Sequence, residues 1–226
     1  DRLAALGVDV RVGHSADQVG EAAVVTRSTA VPDSNPECRA ALERGIRLCG
    51  RPEVLGAISA LRHTIAVAGT HGKTTTASML ALVLREAGLR PSFIIGGDVN
   101  EIGTGAAWDE GDLLVVEADE SDGSFLELSA RFGLVTNLEP DHLEHHGGFD
   151  PLLEAFDRFV EAVDGPVVVG VDDGEGAALA ARHGTATVGT SAGSDWLLSE
   201  VVESWEGVRF TLTGPVTGAF GLELPV

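Results

Sequence analysis

The run Gly69-Thr70-His71-Gly72-Lys73-Thr74-Thr75 gathers two glycines, a lysine and three threonines into one short turn. That combination can grip a nucleotide phosphate. Glycines let the backbone approach an anion, the N–H groups that open a following helix point at it, and a lysine adds a compact positive charge. All seven residues are candidate nucleotide contacts. The spacing is the short G-x-x-G-K-T form, because Val67 stands where the longer phosphate loop carries a further glycine. Two other stretches carry acids: Glu117-Ala118-Asp119-Glu120-Ser121-Asp122, and Asn137-Leu138-Glu139-Pro140-Asp141-His142. Glu117 could hold Mg²⁺ that bridges phosphate oxygens, and His142, directly after an acid, is the better ligand candidate among the nearby histidines. Asp119, Glu120 and Asp122 read equally well as a solvated loop or helix cap, and His145 and His146 read as surface histidines.

These residues need elements to position them. Ile65-Ala66-Val67-Ala68 is an apolar β-type run before the turn, and a helix follows it as far as Gly88, with Pro91 as a stop. Ala77, Leu80, Ala81 and Leu84 repeat at helical spacing. Met79, Leu82 and Val83 make most of the remaining circumference apolar, which predicts burial on more than one side. Leu113 to Val116 reads as a buried parallel strand that ends at Glu117, and Gly133 to Thr136 as another that delivers Asn137 to His142. Ligands of open α/β sheets lie outside the carboxyl ends of the strands, so both acidic stretches and the turn should meet at one rim. Lys73 should stand at the turn and outside the core, so that Lys73→Ala removes nucleotide binding and spares the fold. The plain alternative is a β-turn-α connection whose glycines serve only the turn.

Length and composition bound the rest. The chain has 226 residues, 44% of them apolar, enough for one large or two modest cores. Fifteen Lys and Arg face 35 Asp and Glu, a formal charge of −20, which speaks against a broad nucleic-acid-binding surface. No apolar run approaches the ~20 residues of a membrane span, and no basic-then-apolar leader opens the sequence, so a cytoplasmic location is expected. Cys38 and Cys49 are too few for a disulfide framework and read as reduced thiols.

Along the chain, strands and helices alternate. Asp1 to Leu6 reads as the tail of a helix, Val8 to Val10 as a short strand, Ala22 to Thr26 as a strand and Ala30 to Glu37 as a loop. A helix from Pro36 to about Arg44, a strand at Ile46 to Leu48 and a helix from Pro52 to Arg62 follow. Arg62-His63 is the candidate boundary between a partial Rossmann-like unit, residues 1–62, and a larger unit, residues 63–226. In the second unit Ser92 to Ile95 is a strand and Gly96 to Gly103 a loop; Asp150 caps a helix with Pro151 at its first position. Val167 to Val169, Gly174 to Arg182 and Ala186 to Val188 continue as strand, helix, strand. Trp196 to Leu212 reads as a hairpin about Glu206-Gly207. The predicted fold class is α/β, a P-loop-type parallel sheet flanked by helices with a small antiparallel appendage.

Taken together, the turn, the Gly96 to Gly103 loop, Glu117 to Asp122 with Ser124-Phe125-Leu126, and Thr136 to His142 resemble the Mur ligases. The Ala30 to Glu37 loop is similar to that of the family's UDP-binding domain. The resemblance implies an ATP-dependent, amide-forming ligase of peptidoglycan synthesis, joining L-alanine to the carboxylate of UDP-N-acetylmuramate through an acyl phosphate. It assigns Lys73, Glu117 and His142 to catalysis, and Thr74, Glu117 and His142 to Mg²⁺. It also implies that the glycine-rich opening of the UDP-binding domain precedes Asp1. The part that carries amino-acid recognition and adenine contacts would follow Val226, so the 226-residue piece alone should bind nucleotide weakly and ligate nothing. Several relatives place a carbamylated lysine in the helix after the histidine; Pro151 to Val163 contains no lysine. Two other readings stay open: a related ligase that joins a ready-made peptide to the muramic acid, and a nucleotide-binding module without chemistry. Oligomeric state is not legible.

Overall fold

The computed structural model describes residues 2–223 apart from Thr29, Glu101, Asp122, His142 and Glu206, with the backbone alone for Arg2, Glu144, His145, Leu222 and Glu223. The chain divides into two compact units, Asp1–Leu55 and Gly56–Val226.

The first unit opens with a single helical turn, α1 (Arg2–Ala5), and a 3-10 turn at Ala16–Val19. Strand β1 (Val24–Arg27), helix α2 (Pro36–Glu43) and strand β2 (Arg47–Gly50) form a β-α-β unit in which Val24 lies opposite Arg47 in parallel register. Helix α2 starts where the sequence says it should. Asn35 Oδ1 accepts from the N–H groups of Glu37 (2.9 Å) and Cys38 (3.4 Å), and Pro36 occupies the first turn, where no N–H is needed. Cys38 and Cys49 are buried free thiols. Val8 to Val10, expected as a strand, belongs to no ladder, and Val8 and Val10 are exposed. Helix α3 (Arg51–Ser59) carries the chain into the second unit.

The second unit is built on a ten-stranded sheet. Its strands are β3 (His63–Ala68), β4 (Ser92–Val99), β5 (Thr104–Ala107), β6 (Leu113–Glu117), β7 (Ala130–Val135), β8 (Val167–Gly170), β9 (Ala186–Gly189), β10 (Trp196–Ser204), β11 (Gly207–Thr213) and β12 (Gly218–Glu223). Their order is β12-β11-β10-β9-β8-β7-β3-β6-β4-β5. Pairing is parallel from β4 through β10, with antiparallel β5 at one edge and β11–β12 at the other. The helices are α4 (Lys73–Glu86), the short α5 (Leu143–His146), α6 (Phe149–Ala162) and α7 (Gly174–His183). The α/β class, the parallel core and the antiparallel appendage are as expected from sequence.

Several local expectations are corrected. Gly96 to Val99 continues β4 rather than starting a loop, and Thr104–Ala107 pairs back on it as β5. Glycines and an acid hide this edge pair, because neither favours strands in isolation. Helix α4 buries Ala77 and Ala81 completely and keeps Met79, Leu80, Leu82 and Leu84 partly buried, but Val83, expected to share in that burial, is 61% exposed. Those two small residues lie in the core cluster with Val67, Phe93, Ile95, Val99 and Val115. The cap of α6 is Gly148, not Asp150. Its face, Leu152, Phe156 and Phe159, is buried as the spacing requires, and Phe125 packs on both rings with centroids 5.3 and 5.5 Å away. A third antiparallel strand, β12, extends the terminal hairpin.

Topology fixes where a ligand can go. From β3 the chain crosses to β4, returns through β6 beside β3, and then places β7 on the other side of β3. The carboxyl end of β3 is therefore a switch point, flanked by the carboxyl ends of β6 and β7.

Candidate phosphate and metal site

The turn after β3 is held from the β7 side by a dense set of backbone bonds. The N–H of Thr70 donates to the Asn137 carbonyl (3.0 Å), and the N–H of His71 donates to Asn137 Oδ1 (2.9 Å). Asn137 Nδ2 and Thr136 Oγ1 both donate to the His71 carbonyl, at 3.0 and 2.7 Å. Thr70 is buried; its hydroxyl accepts from the Glu139 N–H (2.9 Å) and lies 3.2 Å from the Glu139 carbonyl. The N–H groups of Thr70 and His71 are thus committed to the frame. His71 keeps an exposed ring, 3.8 Å from Glu139.

Two glycines make this close packing possible. Gly69 has φ +127°, and a Cβ there would lie 2.0 Å from Thr136 Oγ1. Gly72 caps α4 in the left-handed region at φ +78°, turning the chain into the helix. Bonding in α4 begins when Thr76 N–H donates to the Gly72 carbonyl (2.9 Å), so the N–H groups of Lys73, Thr74 and Thr75 precede the ladder and face the open end of the helix.

Lys73 turns back over its own turn. Its Nζ donates to the carbonyls of Gly69 (2.8 Å) and Thr70 (3.0 Å) and to Glu120 Oε1 (3.0 Å). Glu120 Oε2 is also only 2.8 Å from Nζ, but the angle there is poor and Oε2 has no directed hydrogen bond. The Glu120 side chain is fully buried and that of Lys73 is 11% exposed. This corrects two expectations. Lys73 does not stand clear of the core, and Glu120 is neither a solvated loop residue nor a cap. Asp119 does fit a local turn role, accepting from the Ser121 N–H (3.0 Å). His146, expected at the surface, is partly buried and donates from Nε2 to the Glu120 carbonyl (2.7 Å), tying α5 to the loop after β6.

Glu117 arrives from the other side. Opposite Val67 in the sheet register, its Oε1 accepts from the Thr74 hydroxyl (2.6 Å) and its Oε2 from the Gly96 N–H (2.6 Å). Gly96 leaves little room to spare there, since a Cβ would lie 3.0 Å from Glu117 Oε2. The structure therefore brings Gly69 to Thr75, Lys73, Thr74 and Glu117 together at one rim. His142 lies outside the described residues, and among the described residues no cluster of three His, Cys, Asp or Glu side chains could hold a metal. The donors that are present suit Mg²⁺. Thr74 and Glu117 offer hard oxygens 2.6 Å apart, near the ~3 Å separation that adjacent ligands have around an ion bonded at ~2.1 Å.

Sequence reasoning missed Glu120, Asn137, Gly96 and His146. Asn137 had a usable signal, since it stands just beyond the carboxyl end of β7, next to β3, whereas Gly96 lies within β4. In the first unit, Arg27 organises the Ala30 to Glu37 loop by donating to the Val31 carbonyl (2.8 Å) and pairing with Asp33 (2.5 Å). No described helix is long and apolar enough to cross a membrane.

Comparison with known proteins agrees with this layout. The UDP-N-acetylmuramate–L-alanine ligase of Renibacterium salmoninarum is 47% identical over 232 residues, covering 99% of this chain and 50% of its own length. This chain spans about half the length of the curated relatives it matches over nearly all of its residues. The crystal structure of UDP-N-acetylmuramate-alanine ligase from Thermotoga maritima superposes with a TM-score of 0.83 at 28% identity, covering 99% of this chain and 52% of that one. The UDP-N-acetylmuramate:L-alanyl-gamma-D-glutamyl-meso-diaminopimelate ligase of Neisseria meningitides gives a TM-score of 0.80 at 29% identity, covering 94% and 71%. Residues 67–226 match the Mur ligase middle domain and residues 1–63 the Mur ligase family catalytic domain. With most of its length matched by the middle domain, the chain belongs to the Mur ligase family.

Proposed function

We propose that this chain supplies the nucleotide site, and part of the UDP-sugar site, of a ligase that joins L-alanine to UDP-N-acetylmuramate in the cytoplasm. The observation that carries this is the meeting of Thr74 and Glu117 at 2.6 Å beside the open end of α4. A strand-end carboxylate, a hydroxyl and orphan helix N–H groups together form a place for a metal-bound triphosphate. On this reading residues 1–62 belong to the UDP-substrate domain and residues 63–226 to the ATP domain.

The chemistry follows from charge. A carboxylate oxygen of the muramic acid attacks the γ-phosphorus of ATP and ADP leaves, giving an acyl phosphate. The amino group of L-alanine then attacks the acyl carbon, phosphate leaves, and the amine gives up its proton. Lys73 and the N–H groups of Lys73, Thr74 and Thr75 hold the β- and γ-phosphates and offset charge that builds during transfer, a contact typically worth ~3 kcal/mol. Thr74 and Glu117 would hold Mg²⁺, with His142 as a further ligand near the acyl phosphate; bound there, the ion lowers the negative charge that the incoming carboxylate meets. Thr70, Asn137 and Gly69 act indirectly, by fixing the shape of the turn.

The test uses the full-length protein with ATP, Mg²⁺ and UDP-N-acetylmuramate. ADP release that requires L-alanine is expected. Release that requires an L-alanyl-γ-D-glutamyl-meso-diaminopimelate peptide instead would assign the peptide-adding reaction, and nucleotide binding without release under either condition would leave a binding module. The 226-residue piece alone should show no substrate-dependent release, since positioning acyl phosphate against amine can supply ~7–11 kcal/mol and depends on closure of the complete enzyme.

A further inference from the structure

An ammonium group has three donors, and in Lys73 all three are taken: Gly69 O, Thr70 O and Glu120 Oε1. A phosphate can reach Nζ only by displacing one of them. The three are not equivalent. Gly69 and Thr70 offer neutral carbonyls, whereas Glu120 is the only charged residue among the buried ones described. Losing Lys73, its one cationic partner among the described residues, would leave an unpaired anion in the interior, a far larger penalty than a lost neutral acceptor. The carbonyl bonds are therefore the ones exchanged for phosphate. Glu120 is itself fixed, because His146 holds its carbonyl at 2.7 Å.

From this we infer that Glu120 is the positioning residue of Lys73: it anchors the ammonium at the rim while the loop carbonyls give way to phosphate, and it cancels the lysine's charge there. The inference rests on the phosphate-site reading above. Its electrostatic consequence is specific. Lys73 and Glu120 sum to zero, and Glu117 adds a negative charge, so the side chains offer nucleotide no net positive field. Affinity must come from the helix N–H groups and the divalent cation, and binding should depend steeply on Mg²⁺.

The experiment measures ADP binding to the full-length protein by calorimetry, with and without Mg²⁺, together with kcat and the KM for ATP. Glu120→Gln keeps the volume and removes the charge. It should bind Mg²⁺-free ADP about tenfold more tightly, while kcat falls about a hundredfold because the ammonium is no longer anchored. Glu120→Asp keeps the charge on a shorter arm; its ADP affinity should stay within about twofold of wild type while kcat falls at least about tenfold. A structural role alone would lower melting temperature without tightening ADP binding. A folded Glu120→Gln protein with unchanged or weaker Mg²⁺-free ADP binding overturns the inference. Wild-type kcat in Glu120→Asp also overturns it, and needs no folded Gln variant. If the wild-type protein itself binds no ADP, the phosphate-site reading fails and this inference with it.

Discussion

Replacing Lys73 should damage the fold as well as the chemistry, and the two effects can be separated. Lys73→Met keeps the aliphatic stem and removes the ammonium. Glu120, fully buried and with its carboxylate paired to Nζ alone among the described residues, then becomes an uncompensated charge. Breaking one side of a buried pair costs about 3–5 kcal/mol. For a domain of this size each kcal/mol moves the melting temperature by ~2–4 °C, so the variant should melt roughly 6–20 °C below wild type. Adding Glu120→Gln removes the stranded charge, and the double variant should recover at least about half of that loss, because replacing both members of a buried pair is often nearly neutral. Thermal denaturation of the wild type, both single variants and the double variant gives the cycle. A Lys73→Met protein that melts like wild type, or a double variant no more stable than Lys73→Met, would refute the buried-pair argument. Loss of activity in Lys73→Ala is for the same reason uninformative about catalysis unless melting is measured beside it.

Other consequences concern the frame of the turn. Gly69→Ala places a Cβ 2.0 Å from Thr136 Oγ1 at φ +127°; it should cost about 1–3 kcal/mol in melting experiments and weaken ADP binding at least about tenfold. Asn137→Ala strands the His71 N–H and should cost about 1–3 kcal/mol, with wild-type ADP affinity in the variant arguing against a clamping role. Glu117→Gln should lower kcat about a hundredfold or more and raise the Mg²⁺ concentration needed for turnover, with little change in melting. Between α6 and α7, burial pushes the Asp157 carboxyl up, but bonds from Arg182 (2.9 Å) and His183 (2.7 Å) outweigh it and hold its pKa below the usual range. A depressed acid adds stability above its unfolded pKa of about 4 and loses it as pH falls through the folded value. The melting difference between wild type and Asp157→Asn should therefore be largest near neutral pH and close in acid.

The parts of this molecule that were legible in the sequence are those encoded locally. The strand, turn and helix from His63 to Glu86 announce themselves through period and glycine spacing, and Glu117 is placed by the apolar run that ends in it. Glu120 was not legible, because a loop has no period to say which of several acids points inward. Its burial is a tertiary fact, created by Lys73 folding back from a residue 47 positions away. Asn137 lay in a recognised motif, yet its clamp on His71 depends on β7 lying beside β3. The β4–β5 pair was hidden because Gly96, Gly97 and Asp98 disfavour strands, while the structure uses the Gly96 N–H to hold Glu117. Val83 shows the opposite error: an apolar residue on a helix need not face the core.

Activation of a carboxylate by phosphorylation at this site is tested most directly by isotope transfer. UDP-N-acetylmuramate labelled with oxygen-18 in its carboxylate would be turned over by the full-length protein with ATP, Mg²⁺ and L-alanine, and the released phosphate read by phosphorus NMR. If the carboxylate attacks the γ-phosphorus and the amine later breaks the acyl C–O bond, each phosphate leaves with one carboxylate oxygen, so labelled phosphate should appear in step with ADP. Turnover that releases unlabelled phosphate would contradict the acyl-phosphate route and the role assigned to this site.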